Sequence, residues 1–286
     1  MVRLFNEALG ADVEVPERPS RIVSFSPAAT ETLFEIGAGE RIVGVSAFCA
    51  RPPEARAKRK VGSYNTVRPE LLEELKPDLI LTVTGYQRDF ALKMSKSFPV
   101  YPLELPVTVA GIVDFVGKVG LVAGEHEAAR ELSGDLLRRL GSVRKARKAR
   151  KARAYVEIDL GGPVTFGAHS YITDAIRFVG CSSIYEAERS EWLKPDLERV
   201  KAEDPDAILY EAKMYSEFGA GDLERLVRSR GWEWMKAVRN DSCFLTPGPL
   251  DFLAHHGPSF ITEAVPWLQE KLGQAADGHS PGGVER

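Results

Sequence analysis

Residues 21–38 read Arg-Ile-Val-Ser-Phe-Ser-Pro-Ala-Ala-Thr-Glu-Thr-Leu-Phe-Glu-Ile-Gly-Ala, and this stretch holds a strand, a turn and a helix. Residues 21–25, with Ile22, Val23 and Phe25 apolar, read as a short buried strand. Ser26 offers an N-cap oxygen, and Pro27 brings a preset φ to the first helical position. Leu33 and Ile36 then share one helix face, and Gly37 stops the helix. The alternation continues outward. Residues 41–45 predict a second strand, Pro69–Leu75 a short helix, residues 78–83 a third strand and Val100–Leu103 a fourth. Helices between short apolar strands imply parallel βαβ units.

From Thr108, a possible N-cap by residue type, apolar residues recur at Val109, Ile112, Val113, Val116 and Val119, the spacing of one helix face. A second helix is expected over residues 125–151. Further strands are expected at 154–158, 207–210 and 243–245, and further helices at 171–179 and 258–272. After Gly273 the chain turns Gly-, Ser- and Pro-rich, the composition of a frayed tail. An internal echo links the two halves. Tyr64, Glu70, Pro77 and Asp78 recur as Trp192, Glu198, Pro205 and Asp206, each pair 128 positions apart. Two similar α/β lobes facing each other would produce it, although helix–Pro-Asp–strand junctions are also common in unrelated α/β proteins. The expected organisation is an N-terminal lobe over 1–107, linking helices over 108–151, a C-terminal lobe over 152–272 and a flexible tail over 273–286.

The 286 residues suit about two domains at roughly 150 residues each. A balance of 44% hydrophobic and 28% charged residues excludes disordered, collagenous and disulfide-scaffold classes. The net charge of −3 argues against a dedicated nucleic-acid binder. No apolar run reaches the roughly 18 residues that span a bilayer, and polar residues interrupt the first ten positions, so no secretory h-region is present. Cys49, Cys181 and Cys243 show no metal-ligand spacing, and an odd count leaves at least one thiol unpaired in an oxidised monomer.

In open α/β sheets ligands bind outside the carboxyl ends of the strands, and between lobes where two lobes meet. The loops expected there carry Phe25, Phe48, Tyr64, Tyr86, Phe166 and Trp192. Aromatics give wide apolar contact at low conformational cost, which suits a large, flat, partly apolar ligand. Core packing competes for any one of them. Tyr64 and Trp192 stand out because each precedes a helix in a turn-like context. The segment Asp251-Phe252-Leu253-Ala254-His255-His256-Gly257-Pro258 follows a strand and precedes the last helix. There Asp251 and His255 can bond polar edges of a ligand, and Phe252 is a further contact. His255 could instead ligate a metal or be a solvated loop histidine. No second ligand lies at motif spacing, so no metal site is expected. No nucleophile elbow, P-loop, dinucleotide fingerprint or zincin motif is present, so no catalytic residue and no cofactor are assigned. Arg138, Arg139, Arg144, Lys145, Arg147, Lys148, Arg150, Lys151 and Arg153 form a basic run. Nucleic acid or anionic lipid could bind such a run, but its period of three spreads charge around a helix and no aromatics interleave it. A solvated helix end is the simpler expectation.

Residues 21–38, with Ile-Val-Gly-Val-Ser at 42–46, Pro-Pro-Glu-Ala at 52–55, Val-Gly-Ser-Tyr at 61–64 and Leu-Lys-Pro-Asp-Leu-Ile-Leu at 75–81, resemble the class III substrate-binding proteins of ABC importers. These serve cobalamin, haem and ferric siderophores. The resemblance runs over roughly residues 15–272, and within the class the likeness is to the cobalamin-binding members. It implies two Rossmann-like lobes with parallel sheets, joined by a long helix at 108–123. It implies cleft aromatics at Tyr64, where tryptophan is usual, and at Phe48 and Trp192. Asp251 matches an aspartate on the last cleft loop, and His255 falls where an arginine can stand. Glu70 and Glu198 match lobe-top glutamates that dock on arginines of the permease, a charge-assisted contact. The expected function is capture of a cobalamin-like corrinoid or related metal chelate in an interlobe cleft, by a monomer that delivers it to an ABC importer permease. Haem or a ferric siderophore is the alternative ligand. Family members are exported or lipid-anchored, so an extracytoplasmic location is expected, with the leader not present in this chain. A cytoplasmic chelate binder or an enzyme of the same architecture is the alternative.

Overall fold

The computed structural model describes residues 1–146 and 152–277. Two compact units make up the chain: residues 1–106 with 110–138, and residues 107–109 with the chain from 139 onward.

The first unit opens with an antiparallel hairpin of β1 (Val2–Asn6) and β2 (Ala11–Val15), turned at Gly10 with φ 63°. Next come β3 (Ile22–Ser24), α1 (Pro27–Glu35), β4 (Ile42–Ser46), β5 (Lys60–Gly62), α2 (Pro69–Leu75), β6 (Leu79–Val83), α3 (Arg88–Met94), β7 (Val100–Leu103), α4 (Val109–Ala123) and α5 (His126–Ala146). The five-stranded sheet has order β5-β4-β3-β6-β7, and every pairing is parallel. Both faces are buried, as parallel sheets require. Successive side chains of β6 serve opposite cores. Leu79, Leu81 and Val83 pack with Leu33 of α1 and Phe115 and Val119 of α4. Ile80 packs on the other face with Leu72 of α2 and Ala91 and Met94 of α3. The 108–123 helix thus lies on the first unit's sheet. The division between units falls within α5, between Arg138 and Arg139.

The second unit contains β8 (Arg153–Asp159), β9 (Pro163–Phe166), α6 (Tyr171–Phe178), β10 (Ser182–Ser183), β11 (Trp192–Leu193), α7 (Leu197–Glu203), β12 (Ala207–Glu211), α8 (Ala220–Ser229), α9 (Lys236–Arg239) and β13 (Cys243–Leu245). A π-helical turn, Phe260–Ala264, leads into α10 (Val265–Asp277). Strand order is β11-β9-β8-β12-β13, with β10 pairing the start of β8. β8, β10, β12 and β13 run parallel, and β9 and β11 add an antiparallel edge. Helix α10 continues past Gly273 because Leu272, Gly273 and Ala275 are all buried. On the basic run, Arg138, Arg139, Arg144 and Lys145 are exposed on α5 and Arg153 opens β8, while Arg147, Lys148, Arg150 and Lys151 lie outside the described residues.

The echo is architectural. Helices α2 and α7, and strands β6 and β12, coincide residue for residue at the 128-position offset. Both helices end in a left-handed residue, Lys76 at φ 44° and Asp204 at φ 39°. Asp78 then accepts the backbone N–H groups of Ser20 and Arg21 at 2.8 and 2.9 Å. In the same way Asp206 accepts that of Arg153 at 2.9 Å. The two arginines answer alike, Arg21 donating to the Leu75 carbonyl at 2.7 Å and Arg153 to the Glu203 carbonyl at 3.2 Å. Each Pro-Asp junction therefore locks a helix end to the start of the neighbouring central strand.

Candidate functional site

Within the first unit, three expected aromatics meet at the carboxyl edge of the parallel sheet. Phe48 follows β4, Tyr64 follows β5 and Tyr86 follows β6. Phe48 and Tyr64 stack with centroids 4.1 Å apart and planes 7° from parallel. Tyr86 stands edge-on to Tyr64 at 5.4 Å and is 45% exposed. Tyr64 sits at the tip of a tight turn, in which Ser63 N–H bonds the Thr66 carbonyl at 3.0 Å and Gly62 bridges Val67. Gly62 has no alternative here, since a Cβ would fall 2.0 Å from the Thr66 carbonyl oxygen. Phe25, expected beside the ligand, lies wholly in the core, edge-on to Phe90 at 5.0 Å.

Gln87, which sequence reasoning passed over, ties this edge together. Its Oε1 accepts the Val83 N–H at 2.8 Å, and its Nε2 donates to the Tyr64 carbonyl at 2.5 Å and the Phe25 carbonyl at 3.2 Å. One fully buried side chain thus joins segments that follow β3, β5 and β6. A small buried polar cluster follows β3 and β4 in the same unit. Thr30 Oγ1 lies 3.1 Å from Cys49 Sγ, and Ser46 Oγ lies 3.2 Å from it. Burial pushes the Cys49 thiol up from its ordinary value against those hydroxyls.

In the second unit Phe166 and Trp192 are directly opposed in the β9–β11 ladder, which puts both rings on one face. Trp192 is 54% exposed. Gly167 makes the approach: a Cβ there would lie 2.5 Å from the Ser190 carbonyl oxygen, and the Ala168 N–H bonds the Glu188 carbonyl at 2.7 Å. Asp251 is half-buried in the middle of the loop after β13. Phe252 and His255 are buried, and Phe252 packs edge-on to Trp267 at 5.6 Å. His256, its neighbour, is buried as well, and desolvation with the adjacent His255 holds its imidazole down at about 3. Under this loop is Glu211, the last residue of β12, also unforeseen from sequence. Its carboxylate accepts the N–H groups of Phe252 at 3.1 Å, of Leu253, and of Ala254 at 3.2 Å. Burial and the Asp251 charge push it up to about 8 against the pull of those amides. Neither Gln87 nor Glu211 carries a sequence signal, because apart from the Val83 N–H their partners lie tens of residues away.

Glu70 and Glu198 are exposed in the first turns of α2 and α7, at equivalent positions, and Glu198 pairs with Lys201 at 2.8 Å. Among the described residues no group of three or more His, Cys, Asp or Glu side chains is arranged to hold a metal ion, and no helix is long and apolar enough to cross a membrane.

The chain belongs to the periplasmic binding protein family, whose sequence model matches residues 22–250. That family is one of solute-binding proteins. The chain is 25% identical over 209 residues to a cobalamin-binding protein of Halobacterium salinarum, a match that spans 71% of this chain and 57% of the relative's own length. It shares its fold with the periplasmic vitamin B12 binding protein BtuF of Vibrio cholerae, at a TM-score of 0.75 and 22% identity over 90% of this chain and 98% of that one. It also shares it with the periplasmic heme-binding protein RhuT from Roseiflexus sp. RS-1, at a TM-score of 0.73 and 21% identity over 90% and 99%.

Proposed function

We propose that this chain is the extracytoplasmic substrate-binding component of an ABC importer and that it captures a cobalamin-like corrinoid or a related flat metal chelate. The observation that carries this reading is the Phe48–Tyr64–Tyr86 cluster, set at the carboxyl ends of a parallel sheet in a periplasmic binding protein. Stacked and edge-on rings with one exposed member form a broad apolar surface with hydroxyl tips. Such a surface suits the apolar face of a macrocycle better than a small ion. Within the second unit, taken by itself, Phe166, Trp192 and Asp251 are the candidate ligand contacts. Phe25, Phe252 and His255 support these loops from beneath. Capture needs no bond-making, so the chain acts as a binder without cofactor, as a monomer. Glu70 and Glu198 are the docking carboxylates for cationic groups of a permease.

The test is a titration of the purified chain with cyanocobalamin, cobinamide, haemin and a ferric siderophore, read by tryptophan fluorescence and visible absorbance. A corrinoid should bind more tightly than the others. Binding of haemin alone would move the assignment to haem, the ligand named for RhuT. Failure of all four to bind below about 100 μM, roughly −5.5 kcal/mol, would defeat the capture reading.

A further inference from the structure

Glu211 and Val83 close equivalent strands, β12 and β6, at the same position of the 128-residue echo. The first unit builds that strand end with an apolar side chain, so the fold does not require a carboxylate there. Burying one is costly unless hydrogen bonds compensate. The charged neighbour of Glu211 is a second carboxylate, Asp251, which adds to that cost. What counters part of that cost is the set of backbone amides of residues 252–254, which lie 41 to 43 positions further along the chain. The first of these amides belongs to the residue that follows Asp251, so the contact sets where the Asp251 side chain begins.

We propose that Glu211 is the positioning residue of this segment: its carboxylate pins residues 252–254 by their backbone and so presents Asp251 to the ligand. The binding half of this inference rests on the capture function proposed above, whereas the pinning half stands on the geometry alone. Two other contacts hold the same segment, the Tyr171 hydroxyl donating to the Leu253 carbonyl at 3.0 Å and the packing of Phe252 on Trp267. The inference therefore requires that these do not suffice.

Glu211→Leu and Glu211→Gln in the full chain test it at a single pH. Amide hydrogen exchange reports the pinning, and titration with cyanocobalamin reports the presentation. In the leucine variant, exchange at residues 252–254 should accelerate at least tenfold while β12 amides stay protected. The midpoint of thermal unfolding should stay near that of the wild type, and cyanocobalamin should bind at least tenfold more weakly. Glutamine keeps an acceptor oxygen and should recover most of both losses. Unchanged exchange at 252–254 in the leucine variant would overturn the pinning. Faster exchange with undiminished cyanocobalamin binding would overturn the presentation. Should the leucine variant not fold, Glu211→Ala, which also removes the acceptor, decides: a rise confined to residues 252–254 supports the inference, and a uniform rise or no rise overturns it. A wild-type chain that binds no cyanocobalamin counts against the corrinoid assignment, and the exchange result still decides whether Glu211 pins the loop.

Discussion

At the scale of single residues, the first unit's aromatic face depends on a glycine as much as on its rings. Gly62→Ala would drive a Cβ into the Thr66 carbonyl, and the turn bearing Tyr64 would have to move. The expected cost is roughly 1–3 kcal/mol from overpacking, read as a lower urea midpoint, with weaker cyanocobalamin binding. An unchanged midpoint and affinity would mean that the turn is not held as described. For the rings themselves, Tyr64→Ala and Trp192→Ala should each weaken cyanocobalamin binding by roughly 1–3 kcal/mol through lost aromatic burial. Trp192 is exposed and its removal should barely change stability. Tyr64 stacks on Phe48, so its removal should also lower the midpoint slightly. Calorimetric titration separates the two effects, and wild-type affinity in either variant would remove that ring from the site.

At the scale of elements, α1 shows how closely local chemistry can dictate structure. Ser26 caps it, its Oγ accepting the Ala29 N–H at 3.1 Å, with Pro27 at the first helical position. Ser26→Ala should cost about 0.5–2 kcal/mol of stability in a urea melt, and no loss would assign the cap elsewhere. This element was legible from residues 26–37 alone, as were α2 and β7 to the residue, because caps, prolines and buried runs act within a few positions. The N-terminal hairpin and the β9–β11 edge were not. Residues 2–15 lack a long apolar run, and two-residue strands such as β11 exist only because a distant partner supplies their hydrogen bonds. The candidate site divides the same way. Loop aromatics after strands were visible by type, but which of them are buried was not. Phe25 fills the core and Tyr86 faces solvent, and only the packing of α3 against the sheet decides that. Gln87 and Glu211 are ordinary residues in sequence and acquire their roles from contacts across the fold.

For the molecule as a whole, two buried titratable groups shape how stability varies with pH. Glu211 rises from 4.5 to about 8, chiefly through burial. Between those values the folded chain keeps a proton that the unfolded chain has released, so stability falls as pH rises. His256 moves from 6.5 down to about 3, again chiefly through burial. Between those values the unfolded chain holds the extra proton, so stability falls as pH drops. From about pH 4.5 to 6.5 the two slopes oppose each other and stability should be nearly flat. Above 6.5 Glu211 acts with His256 already neutral in both states. At about 1.4 kcal/mol per proton per pH unit, Glu211 should remove about 2 kcal/mol between pH 6.5 and 8. Urea melts at pH 5.5, 6.5, 7.25 and 8 would show a plateau followed by a decline. Glu211→Gln should flatten the decline whatever it does to the absolute value, since an amide has no proton to keep. A wild-type curve that stays level to pH 8 would mean that Glu211 is already ionised across the plateau, with its three amides outweighing both burial and Asp251.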